Sequence, residues 1–215
     1  AVYAANDGII TTFAVVAGVV GASLDPLVIL VLGFANLFAD GISMASGNYL
    51  GTKSEKDLYS KERERNRRLL LEDKEKYKER ISKFLQGKGY IDSDLGSLTE
   101  LIAHNEKFAL DFIMHEESGL VEQEETRPIK GALVTLASFM LAGLVPLVPY
   151  IFFSESRNAF LYASVFTAVA LFTIGAARSV FTEKGWLASG LEMFFVGGLA
   201  AVVAYAIGFG VSSIV

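Results

Sequence analysis

Two long apolar blocks stand at the ends of this chain, over residues 8–50 and 131–214, and a charged section separates them. From Lys53 to Lys130 lie 16 of the 19 Lys and Arg and 18 of the 24 Asp and Glu. The chain offers no soluble core large enough to bury such blocks, so the ends cross a bilayer and the middle stands in water. A hydrophobic share of 52% and a mean hydropathy of +0.43 agree with that division. Residue 1 adjoins the first block with no basic leader or cleavage site, so no signal peptide is expected and the N-terminus reads as short or trimmed.

A bilayer core takes about 20 helical residues, with every backbone polar group satisfied inside the segment. Five spans follow, over about 8–24, 27–50, 131–153, 159–181 and 186–214. Asp25-Pro26 reads as an N-cap with a first-turn proline that opens the second span, and Pro146 and Pro149 are expected to kink the third. The expected fold is all-α, with a helical insertion between spans two and three. It divides into 1–52 (spans one and two), 53–127 (the insertion) and 128–215 (spans three to five).

Basic residues set the orientation. Lys53, Lys56, Lys61, Arg63, Arg65, Arg67 and Arg68 follow the second span, and Arg127 and Lys130 precede the third. The opposite loops hold a single basic residue, Arg157, whereas Arg178 and Lys184 fall on the basic side. By the positive-inside rule the insertion and the N-terminus are cytoplasmic in a multi-pass membrane protein of a bacterial inner membrane or a vacuole.

The insertion reads as helical. The second span is expected to run on into it as one arm, with Leu58, Leu69, Tyr77, Ile81, Phe84 and Leu85 as a sparse apolar stripe. "GKGYIDSDLG" is a turn, "SLTE" at 97–100 has capping-box spacing, and Asn105 caps a further helix that carries Phe108, Phe112 and Ile113. A subdomain of about 70 residues has little core of its own, which favours packing on a second copy.

Polar residues inside the apolar blocks carry the chemistry. Asn36, Asp40 and Met44, at i, i+4 and i+8, fall within roughly 80° of one helix face. An intramembrane aspartate costs at least about 2.5 kcal/mol on insertion scales, so such a residue marks a cavity, an ion path or a buried partner. Asp7 stands at the mouth of the first span, either as an N-cap or as a ligand. Met44 alone has a core-packing reading. Glu192 in the fifth span is a further candidate, and Arg178 either pairs with it or snorkels to the interface. Without Cys, any metal must use oxygen, nitrogen or thioether ligands. HExxH, phosphate-loop, GxSxG and dinucleotide motifs are missing, and His104 and His115 sit in the charged section, so no enzyme is read here. The basic run 61–68 is interleaved with Glu62 and Glu64 in a chain of net charge −5, which argues against nucleic acid. Carboxylate, amide and thioether together suit a divalent transition metal, and carboxylates that shed protons to bind it couple metal to proton movement.

"NDGIITTFAVVAG" at 6–18, "NLFADGISMASGNYLGTKSE" at 36–55 and "AGLVPLVPY" at 142–150 resemble the vacuolar iron transporter family over nearly the whole chain. The resemblance implies five spans per chain in a homodimer, with a path at the subunit interface and iron(II) or manganese(II) as substrate exchanged for protons, no cofactor being held permanently. It implies Asp7 and Met44 as transport residues. Asn36 stands where plant members are acidic, and Asp40 supplies a carboxylate one turn later. In plant members the insertion also binds metal. An ungapped alignment from Met44 puts Asn66, Leu69, Tyr77 and Arg80 at its paired glutamate positions, and Ile113, Met114 and Glu117 at those of its third helix, leaving Met114 and Glu117 as candidate ligands. The alternative function is a non-transporting scaffold or metal sensor with a degenerate soluble domain.

Overall fold

A computed structural model describes residues 1–121, 127–153, 156, 158–181 and 185–214. Arg157 and Lys184, used above for orientation, lie outside them. Among the described residues the elements are helical: α1 Val2–Gly21, α2 Pro26–Glu72, α3 Lys74–Gly87, α4 Asp92–His104, α5 Glu106–Phe112 running into a π-helical turn Ile113–Glu117, α6 Pro128–Gly143, a 3-10 turn Val145–Leu147, α7 Val148–Phe152, α8 Ala159–Arg178, a 3-10 turn Ser179–Phe181, and α9 Trp186–Ser212. Five stretches are long and apolar enough to cross a membrane: α1, α2, α6 through α7, α8 and α9. The chain is thus an all-helical, multi-pass membrane protein.

Several local expectations hold for stated reasons. Asp25 Oδ1 accepts a 2.7 Å hydrogen bond from the Leu27 amide ahead of the helical Pro26, so α2 starts where its cap stands. It continues without a break for 47 residues. Pro146 and Pro149 remove backbone donors, and the third span gives way to a 3-10 turn between α6 and α7. Asn105 Oδ1 caps α5 through the Phe108 amide at 3.1 Å. Gly89, at φ +99°, supplies the left-handed step of the turn after α3.

Others need correction. Helix α1 starts at Val2, with Ala1 giving no side-chain cap, so Asp7 lies inside the helix and is no N-cap. "SLTE" is interior to α4, which begins at Asp92; Thr99 Oγ1 there donates back to the Leu95 carbonyl instead of capping. Leu58 and Phe108 are about half exposed, and Leu70, Ala109 and Leu110 take the core places.

Two compact units form: Ala1–Tyr49 with Pro128–Val215, and Leu50–Arg127. In the first, α1 is the central helix, packed on α6, α8 and α9. Half of its apolar window is buried, against 6% for α9, whose Phe195, Leu199, Val202 and Ile207 face outward as lipid-facing residues do. Close seams make this possible. A methyl group on Gly8 would run into the Phe139 carbonyl of α6, one on Gly21 into the Tyr205 carbonyl of α9, and one on Gly208 into the Gly18 carbonyl. In the second unit Leu70, Tyr77, Ile81, Leu85, Ile102, Ala109 and Ile113 form the core.

Tyr77 gives that core a pH limit. Its ring is buried, its hydroxyl donates to the Ala109 carbonyl at 3.4 Å, and burial pushes the phenol up to about 12, with Arg80 working the other way. A proton held more tightly in the folded state contributes stability below the unfolded value of about 10, and this contribution is lost as pH rises from about 10 to about 12. Tyr77→Phe is expected to flatten that alkaline loss while changing stability at pH 7 by less than about 1 kcal/mol. Limited proteolysis within residues 74–117 at neutral and alkaline pH measures both.

Candidate functional site

The site is built on two Asp-Gly steps. Asp7-Gly8 lies in α1 and Asp40-Gly41 in α2. Each glycine seats against the same residue of α6, fully buried Phe139: Gly8 faces its carbonyl, and the Gly41 position lies 3.4 Å from its ring and 3.2 Å from Leu136. A side chain on Gly8 would push α1 outward, and one on Gly41 would have to displace the ends of the Leu136 and Phe139 side chains. With both seated, the two aspartates come within coulombic reach of each other.

Along α2, Ile29, Gly33, Leu37 and Gly41 form the buried seam, packing on Leu147, Gly143, Leu136 and Met140. Asn36, Asp40 and Met44 form the adjoining row, all half-buried, and Met44 packs on the edge of the core cluster. Beyond them Val31, Leu32, Phe38 and Ile42 are exposed. The polar row thus follows the rim between a packed face and an open one.

Polar atoms are also buried on α1, Asn6 beside Asp7 in sequence and Thr12 toward Gly143 of α6. Asn6 Oδ1 and Thr12 Oγ1 find no hydrogen-bond partner among the described residues, and Thr11 Oγ1 donates to the Asp7 carbonyl at 2.9 Å. In hydrocarbon an unsatisfied oxygen costs several kcal/mol, so these atoms suit a site that receives water or a cation. Sequence reading missed Asn6, Thr12, Gly8, Gly41 and Phe139. The repeated Asp-Gly step in two spans was the available signal.

The remaining candidates belong to other elements. Glu192 is on the exposed side of α9, beside buried Met193, and Arg178 is half-buried in the last turn of α8, where a cation suits the helix dipole. Met114 and Glu117 belong to the second unit. Met114 is buried, with its sulfur accepting from Asn66 Nδ2 at 3.5 Å, and Glu117 is paired with Arg80 at 3.0 Å. His104 closes α4 and His115 lies 3.3 Å from Glu116. Among the described residues no three His, Cys, Asp or Glu gather where one chain alone would hold a metal ion.

This arrangement has relatives. The chain is 34% identical over 200 residues to vacuolar iron transporter 1 of Oryza sativa, covering 93% of this chain and 79% of that protein. It is 30% identical to vacuolar iron transporter 1 of Arabidopsis thaliana, with 93% and 80% covered, and 34% identical to the vacuolar iron transporter of Toxoplasma gondii, with 96% and 72% covered. A family model described as the VIT family matches residues 1–209, and the chain belongs to that family.

Proposed function

We propose that this protein is a metal transporter that moves a divalent transition metal, iron(II) or manganese(II), out of the cytoplasm in exchange for protons. The observation that carries the reading is the pair Asp7 and Asp40, two carboxylates within coulombic reach on membrane-spanning helices. Like charges in a low dielectric favour whatever neutralises them, which is one divalent cation or protons. Release of one on arrival of the other is exchange. Asn36 and Met44 extend the row with an amide oxygen and a thioether, a mixture that suits iron(II) or manganese(II) better than magnesium or calcium. Glu192 offers a further carboxylate on α9. The names of the relatives support iron as cargo.

Two further parts of the reading follow from what one chain lacks. Two carboxylates, an amide and a thioether leave a divalent ion short of its usual six ligands unless water or a second copy completes the set. The exposed apolar face of α2 beside the row supports a homodimer with the path at its interface. The basic residues that follow the second span support a cytoplasmic second unit and N-terminus, in a vacuolar or bacterial inner membrane.

Proteoliposomes loaded with a manganese-sensitive dye test the reading. Manganese(II) and iron(II) entry is expected to require an imposed proton gradient and to be accompanied by proton efflux. Native protein, folded and oriented, that carries neither metal would overturn the transporter and favour the scaffold or sensor.

A further inference from the structure

The second unit bears on a separate question: whether it binds metal itself, as the resemblance implies. Met114 and Glu117 are the side chains that match, and the structure commits both elsewhere. Asn66 on α2 is 2% exposed and fully bonded. Its Nδ2 donates to the Glu62 carbonyl at 3.0 Å and to the Met114 sulfur at 3.5 Å, and its Oδ1 accepts from Arg80 Nη1 at 2.8 Å. Arg80 on α3 sends Nη2 to Glu117 Oε2 at 3.0 Å in the π-helical turn, and its guanidinium lies 5.6 Å from the centre of the Tyr77 ring. One guanidinium therefore ties α2, α3 and the turn after α5.

A second arginine repeats the pattern. Arg63 Nη1 donates to Tyr59 Oη at 2.7 Å and to Asp111 Oδ1 at 2.9 Å, fastening α2 to α5. The oxygens and sulfur that face this centre thus already accept hydrogen bonds from neutral or cationic donors. A guanidinium does not deprotonate in a protein, so it cannot make way for a metal by losing its charge. A divalent ion would meet a fixed positive charge with both carboxylates neutralised.

We infer that Arg80 is the resident cation of the second unit, closing α2, α3 and the π-helical turn without a divalent metal. The unit is in this respect metal-independent, and the inference holds whether or not the membrane-spanning unit transports.

Hydrogen–deuterium exchange of the full chain in detergent micelles tests it by locality. Manganese(II) at about 1 mM is expected to leave exchange over residues 62–87 and 113–117 of the native chain within about twofold of the metal-free rate. Arg80→Ala is expected to speed exchange in the same segments by roughly tenfold, with Arg80→Lys intermediate because it keeps the charge and loses the fork. Asn66→Glu combined with Arg80→Gln puts a carboxylate at the position that touches the Met114 sulfur and releases Glu117 from its ion pair, and manganese(II) should then slow exchange there. Slower exchange in the native chain on adding manganese(II) would overturn the inference, and so would native rates in Arg80→Ala. The first arm needs no variant and so stands even where a substitution impairs folding.

Discussion

Asp7→Asn is expected to lower proton-driven manganese(II) flux by roughly 10- to 100-fold or more, the range in which metal sites respond even to loss of a ligand's hydrogen-bonding partner. The same substitution should leave the fold intact, because it removes a charge from a membrane span without changing the side chain's volume. Asp40→Asn should behave alike, and the double variant should lose little beyond either single one, since two groups that act as a unit are not additive. Flux and thermal stability measured on the same preparations separate the readings. Parallel loss of both would make the acids structural, and near-native flux in Asp7→Asn would remove it from the path.

Gly8→Val should do the reverse, losing stability first and flux as a consequence. The added side chain meets the backbone carbonyl of Phe139, which cannot rotate away as a side chain would. Overpacking of this kind costs typically about 1–3 kcal/mol, and at a backbone-to-backbone seam the upper end is expected. Gly96→Ala supplies the contrast. Nothing lies near that position in α4, and the exchange should stabilise by about 0.5–1 kcal/mol through helix propensity alone. Thermal denaturation in micelles reads both, and a native melting temperature in Gly8→Val would show that α1 and α6 are not held by this contact.

The spans were legible because apolar length and proline placement act locally. The Asp25-Pro26 start, the break at Pro146 and the Asn105 cap each depend on a residue and its immediate neighbours. The start of α1 was not legible, since "AVYAA" holds no capping side chain to announce it, and Asp7 was read as a boundary residue in consequence. "SLTE" misled for the opposite reason: the spacing is that of a capping box, but Asp92 and Asp94 already provide the acidic first turn of α4. The row Asn36, Asp40 and Met44 needed only helical geometry. Its meeting with Asp7 needed α6, because Phe139 belongs to a span about 100 residues further along the chain. Likewise Asn66 and Arg80 look solvated in a charge-rich sequence, and only the packing of three helices shows the amide to be buried.

The two aspartates ride on helices that are held with unequal firmness. Helix α1 meets α6 and α9 backbone against backbone, at Gly8, Gly21 and Gly208, where there is no rotamer to change. Helix α2 meets α6 and the 3-10 turn after it through the side chains of Leu136, Phe139, Met140 and Leu147, which re-seat at smaller cost than backbone does. The contact of α2 with its neighbours is therefore the more compliant of the two, and α2 carries Asp40 while the firmly seated α1 carries Asp7. On the proposed function, exchanging a divalent cation for protons at these carboxylates would be felt first as a displacement of α2.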